Sequence, residues 1–396
     1  MPRPPKLSDA ARSIRGSVFS ALAHRIAQAT GEVYPFHVGD TWLEPLSSAR
    51  MQSLESSRIP GLHRYTEPAG LDQLRELLVE RTRERAGVAV ERDHVLISAG
   101  ATAGLNAALH ALLDPGDEVL IAAPYWPLIA GIVHACRGVP VAVPILDAGG
   151  VDELLARLDA AASEHTTALY VSSPNNPSGR VLPRVTIEAM VEWAQRRDLW
   201  VISDEVYEDH VFRGGHTAVF GLAPERTVSA HSFSKSYGMA GNRCGWLVGP
   251  PEIIGAAQRL ATHTFYSTPT AAQHAAARAL REGDGWLVDA RARYRAAGEM
   301  AAAVLGVDPP EGGTFLFLDV AGALEQDGLV GFLEECATRN LFLAPGPSFG
   351  PYQSWVRLCF TAVEPERTER GVRALRALLD RRSRASRGEP ALGGRA

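Results

Sequence analysis

Long apolar runs are missing from this chain of 396 residues, and without the roughly 20 consecutive apolar residues that a bilayer span requires, no membrane partner is expected. Cysteine is scarce. Cys136, Cys244, Cys336 and Cys359 stand far apart with no C-x-x-C pair, which fits a reduced compartment. Positive charge is not in excess either: a net charge of −5 and an isoelectric point near 6.2 leave no Lys and Arg surplus to track phosphates, so nucleic acid is not an expected partner. The N-terminal stretch carries basic groups but no uninterrupted apolar run ahead of a cleavage-like site, which argues against a secretory leader and for a cytoplasmic protein. No internal repeat stands out.

What is present is apolar material enough for a sizeable core, 46% of residues, in a length that fits one large domain plus a smaller one. From about Asp93 to Pro250, short β-rich runs alternate with helical patterns, which predicts α/β layering. The runs HVLIS (94–98), EVLIAA (118–123), VPVAVPI (139–145), ALYVSS (168–173), WVISDE (200–205), TVSAHSF (227–233) and GWLVG (245–249) are nearly continuous, as in strands covered on both faces. Between them, ATAGLNAALHALL (101–113) and RVTIEAMVEWAQRR (184–197) repeat apolar residues at helical spacing. After about Gly285 come an Arg- and Ala-rich helical stretch (286–305) and two more β-like runs, TFLFLDV (314–320) and WVRLCFTA (355–362). The expected division is an N-terminal arm at 1–45 that joins the small domain, a large domain at 46–285, a small α+β domain at 286–380 and a disordered tail at 381–396.

Several segments carry candidate chemistry. SFSKSYGMAGNRCGW (232–246) places Lys235 at the end of an apolar strand. Small and hydroxyl neighbours there can hold its amine out of water, lower its pKa and leave it free to form an imine with an aldehyde. Ser232, Ser234 and Arg243 could bind an anion beside it; the alternative is a solvated surface lysine. SAGATAG (98–104) joins a strand to a helix, and its small residues serve either backbone approach to a phosphate or plain packing. PYW (124–126) offers Trp126 as a stacking ring or a core residue. SSPNNPSG (172–179) fixes an asparagine pair between prolines, as a positioned amide or a simple turn. DEVYEDHVF (204–212) closes a strand with Asp204, a carboxylate that needs a cation when buried and reads equally as a metal ligand or helix cap. WVRLCFTA sets Arg357 inside an apolar run, where a guanidinium must bind a ligand anion or an internal acid.

In this order the motifs resemble those of the fold-type I pyridoxal 5′-phosphate (PLP) aminotransferases, the class I and II family, over about residues 33 to 380. The resemblance implies a mostly parallel central sheet with helices on both faces, plus a smaller α+β domain. It implies that Lys235 forms the Schiff base and serves as the base in catalysis. Gly100, Ala101 and Thr102, with Ser232, Ser234 and Arg243, would surround the cofactor phosphate. Trp126 would cover the ring, Asn176 and Tyr207 would bind its phenolic oxygen, and Asp204 would pair with its nitrogen. Arg357 and the Gly39 amide in FHVGD (36–40) would hold the substrate carboxylate, with Trp126 and Asn176 also bordering the substrate. YTEPAGLDQLRELL (65–78) matches a family signature whose tyrosine reaches the partner's cofactor phosphate, which implies a homodimer completed by Tyr65. No metal is expected.

The implied reaction moves an amino group between an L-amino acid and a 2-oxo acid. Aspartate-selective relatives often place a further cation where this chain has Thr102 or His263, so neutral or aromatic donors are favoured here. Trp42, in VGDTWLEP, departs from the commoner proline-rich form of that loop and leaves an unusual biosynthetic substrate open. The same scaffold also supports elimination, replacement and ring-forming reactions. A non-catalytic ligand-sensing module is the remaining alternative; it would need a DNA-binding domain of roughly 60 residues, for which the N-terminal segment leaves no room.

Overall fold

The computed structural model describes residues 5–14 and 23–386. Its centre is a sheet of seven strands: β1 (Val95–Ser98), β2 (Glu118–Ala123), β3 (Val139–Pro144), β4 (Thr166–Ser172), β5 (Trp200–Asp204), β6 (Thr227–Ser232) and β7 (Gly245–Val248), in the order β1-β7-β6-β5-β4-β2-β3. β2 to β6 run parallel, and β7 lies antiparallel to both of its neighbours. Successive residues alternate between two cores, as the two-residue strand period demands. Val119, Ile121, Tyr170 and Ile202 join the helices Gly100–Leu112, Leu128–Ala135 and Pro251–Thr264 on one face. Leu120, Leu169, Val171 and Val201 join Val151–Ala161 and Arg184–Arg196 on the other. Burial on both faces is why these strands read as unbroken apolar runs. β3 is the exception: at the sheet edge, with Val139 43% exposed, it is not covered as its composition suggested, and its Pro140 and Pro144 suit an edge position.

A second sheet, in the order β8-β10-β9, is formed by β8 (Phe315–Asp319), β9 (Ala344–Pro345) and β10 (Trp355–Cys359), all antiparallel. β9, only two residues long, has no counterpart among the runs read from the sequence. Val356 and Leu358 of β10 face a core built with Asp284–Leu305, Gly328–Thr338 and Pro365–Ser386; Phe36 enters the same core from the N-terminal side, its carbonyl accepting from the Cys359 amide at 2.8 Å. Arg357, between those two apolar residues, points to the opposite side. The disordered tail expected from 381 starts too early: Arg381 to Ser386 continue the last helix, and Arg382, 2% exposed, is held by Asp327 and Glu335. Residues 387–396 of that expected tail lie outside the described residues. No helix among the described residues is long and apolar enough to cross a membrane.

Candidate active site

The parallel strands β2, β4, β5 and β6 all end on one side of the large sheet, the side on which open α/β sheets bind ligands. Chemistry-bearing residues follow each end: Trp126 after β2, Asn176 after β4, Asp204 closing β5, and Ser232 closing β6 before Lys235. They border a cavity of about 450 Å³, closed on the far side by Arg357, Phe315 and Phe349 from the small sheet and its loop. Ala101, Thr102, Tyr207, Ser234, Arg243 and Gly39 line it as well.

Lys235 sits in the short helix Phe233–Ser236, whose start Ser232 caps by accepting from the Ser234 amide at 3.1 Å. Its Nζ donates to the Gly39 carbonyl, and burial lowers its pKa against the opposing pull of Asp40. An amine so placed is nucleophilic at lower pH than an exposed lysine. Asp204 is 4% exposed; burial pushes its carboxyl up to about 6, although Tyr170 donates to its Oδ2 at 2.7 Å and the Val206 amide to its Oδ1 at 3.3 Å. Arg357, 5% exposed, donates to Asn176 Oδ1 at 2.9 Å and the His37 carbonyl at 2.6 Å, and lies over the rings of Phe315 and Phe349 at 4.3 and 4.9 Å. Among the described residues no carboxylate pairs with it, and burial lowers its pKa. The internal acid that would have made Arg357 structural is therefore not seen there. His37, beside it, is pushed down to about 4 by burial and by the Arg357 charge, so it adds no cation near neutral pH.

At the other end, the helix Gly100–Leu112 begins without a side-chain cap, which leaves backbone amides for an anion. Gly100 has φ +78°, and a Cβ there would stand 2.5 Å from Arg243 Nη2, so glycine is what lets the guanidinium lie across the helix start. Arg243 Nη1 and Nη2 donate to the Ala240 and Ala99 carbonyls at 2.9 and 3.3 Å. Two cations, two hydroxyls and a helix start thus converge, and among the described residues no carboxylate forms an ion pair with Lys235 or Arg243, Asp40 acting on Lys235 only at longer range. The residues fit PLP. Ser232, Ser234, Arg243 and the helix start would hold its phosphate, Lys235 its aldehyde, and Asp204 its ring nitrogen.

The exception is Tyr65. It is 85% exposed and packs edge-on against Tyr266 at 5.0 Å, outside the cavity of its own chain. Several residues escaped sequence reasoning. Phe315 and Phe349 form the apolar bed of Arg357, and Tyr170 reads as one more apolar residue of β4 until the fold sets its hydroxyl on Asp204. Glu205, Glu208 and His231 bring ligand atoms within 4.8 Å of one another, the spacing of a cation site, but the oxygens of both carboxylates already engage His216, Arg81 and Arg85. A signal for Lys235 was in plain view: Lys6 and Lys235 are the only lysines in the sequence, among 40 Lys and Arg residues.

Comparison with known proteins agrees with this geometry. The family model described as aminotransferase class I and II matches residues 32–375. Arginine–pyruvate transaminase AruH of Pseudomonas aeruginosa is 35% identical over 76% of this chain and 78% of its own length. The aspartate/prephenate aminotransferase of Thermus thermophilus is 32% identical over 77% and 80%. Among solved structures, the Thermus thermophilus aspartate aminotransferase with maleate superposes with a TM-score of 0.86 at 26% identity, covering 94% of this chain and all of that one (100%). The aromatic aminotransferase of Pyrococcus horikoshii gives 0.82 at 26% identity, covering 91% and 99%.

Proposed function

We propose, for a chain that belongs to the class I and II aminotransferases and is thus a PLP-dependent transaminase of fold type I, that the cavity between its two sheets is the active site and Lys235 its catalytic residue. The observation that carries this reading is electrostatic. Asp204 and Arg357, buried, and Lys235, partly buried, border one cavity, and each has its charged form disfavoured by desolvation. Such a set is stable as charges only when a ligand supplies the opposite ones.

When bound, PLP supplies an aldehyde and an electron-accepting pyridine ring. Lys235 Nζ would hold that aldehyde, and its amine would serve as the base toward the substrate Cα proton. Arg357, its fork held flat between Asn176 and the two phenylalanine rings, binds the α-carboxylate in a bidentate manner, with the Gly39 amide as a further donor. Asp204 would provide the counter-charge to a protonated ring nitrogen, and Tyr207 and Asn176 the donors for the phenolic oxygen. Trp126, on the cavity wall, would stack on the ring.

The donor is a neutral or aromatic amino acid. Once Lys235, Arg243, Asp204 and Arg357 have these tasks, no lysine or arginine of the lining among the described residues remains for a second carboxylate, and no acid for a side-chain guanidinium. Tyr65 and Tyr266, an exposed aromatic pair, support a homodimer in which Tyr65 serves the neighbouring site. The four cysteines are free and buried, which supports a cytoplasmic setting.

Borohydride reduction of the holoenzyme followed by digestion tests the reading directly. The pyridoxyl label is expected on the peptide that contains Lys235; label on Lys6 alone, or none, overturns it. Amino acid alone should convert the bound cofactor to its pyridoxamine form, with 2-oxo acid reversing the change. Steady ammonia release without that conversion would make the protein a lyase instead.

A further inference from the structure

The register of β4 against β5 pairs Tyr170 with Ile202 and Ser172 with Asp204. Tyr170 and Asp204 therefore point to the same face, two residues apart along the strands, and a side chain as long as tyrosine spans that diagonal. The phenol ends 2.7 Å from Asp204 Oδ2, on the buried side of that carboxylate: Tyr170 is 0% exposed and Asp204, which borders the cavity, 4%. Of the two carboxylate oxygens, Oδ1 keeps only a 3.3 Å contact to the Val206 amide, so it is the one with a lone pair to spare. Resting on the role of Asp204 given above, we propose that Tyr170 is a positioning residue for the cofactor: its phenol pins one oxygen of Asp204 and stabilises the ionised carboxylate, presenting the other oxygen to the pyridine nitrogen.

The phenol suits this task because it stays a donor throughout. Burial and the adjacent Asp204 charge raise its pKa well above that of a free tyrosine, so it does not ionise and repel the carboxylate. A lysine or arginine in its place would neutralise Asp204 within the chain and remove the need for a cationic ligand. The other groups that act on Asp204 are His231 of β6, which favours its ionised form, Glu205, which opposes it, and Tyr207, which the Asp204 charge affects in turn.

The test compares cofactor-free wild type, Tyr170→Phe, Asp204→Asn and the double variant, each titrated with PLP by protein fluorescence from pH 5 to 8. Tyr170→Phe is expected to weaken PLP binding about tenfold or more, the effect of one hydrogen bond to a charged group. It should also raise by about one pH unit the pH below which affinity is lost. In the Asp204→Asn background the same change should alter affinity by less than about twofold, because the phenol acts only through the carboxylate. A lowered thermal midpoint with affinity and pH profile unchanged would make Tyr170 merely structural and overturn the proposal; so would an equal effect in both backgrounds. If Asp204→Asn itself leaves PLP affinity intact, the failure belongs to the role assigned to Asp204.

Discussion

Two buried charge clusters share the segment 204–209 and behave in opposite ways. In the first, Glu205, Glu208 and Asp209 are paired within the chain. Glu208 meets Arg81 at 3.1 Å and Arg85 at 2.8 Å, Asp209 meets the same arginines at 2.7 and 2.6 Å, and Glu205 meets His216 at 2.7 Å. Burial alone would raise their pKa values, yet the cations win: Glu208 lies well below the usual carboxylate range and Asp209 falls to about 2. In the second cluster, Asp204 and Arg357 are as deeply buried and Lys235 partly so, and there burial wins, pushing the acid up and the bases down. The lesson concerns where to look for ligands. Buried charges that the chain satisfies belong to the fold, and those it leaves unsatisfied belong to what the fold binds.

Substitutions that exchange the two behaviours would break this contrast. Lys235→Ala should have the largest effect, lowering transamination by at least about a thousandfold and abolishing the borohydride-fixed label. The thermal midpoint of the cofactor-free protein should not fall, since a buried amine has been removed; a large drop would place Lys235 with the structural charges. Replacing Arg81 and Arg85 together by alanine should do the reverse, costing about 3–5 kcal/mol in urea unfolding because it strands Glu208 and Asp209. An unfolding free energy within about 1 kcal/mol of wild type would show that this cluster is not held by its arginines.

Arg357→Met keeps apolar bulk between Phe315 and Phe349, so stability should hold while the KM for amino-acid substrates rises about a hundredfold, the cost of losing one partner of a buried charged pair. An unchanged KM would mean that another group holds the carboxylate.

Asp204→Asn sharpens the comparison through pH. In the cofactor-free protein Asp204 has its folded pKa raised to about 6, above the unfolded value of about 3.8, so its folded form binds the proton more tightly. Its penalty is present above the folded value and is relieved as pH falls towards the unfolded one. The cofactor-free variant should therefore be more stable than wild type at pH 8, by about 3 kcal/mol, with the difference nearly gone near pH 4. A difference that grows on acidification would reverse the sign and refute the account. The smallest effect is expected from Tyr65→Phe: a several-fold loss of PLP affinity, about 1 kcal/mol, in a dimer whose size by gel filtration is unchanged. Full affinity in that variant, or an active monomer, would remove Tyr65 from the neighbouring site.

Much of this was legible because strand ends are local features. The runs ending at Ala123, Ser173, Glu205 and Phe233 could be marked from apolar continuity, within one residue of the strand ends, and residues at or just beyond those ends became the cavity wall. Tyr170 and Phe349 were not legible, since an aromatic in an apolar run carries no mark of what its edge will meet. The exposed face of β3 was misread for a related reason: the composition of a run does not say which strand ends at the sheet edge.

The amino-acid order by itself determined the succession of strands and helices and the residue types that stand at the strand ends. Both follow from periodicity and turn chemistry within a few neighbours. Only the tertiary structure decided which buried charges find partners. Arg81 meets Asp209 across 128 positions and Lys235 meets the Gly39 carbonyl across 196. Whether a buried charge is satisfied depends on groups within a few ångströms in space, and in this chain those groups come from distant parts of the sequence.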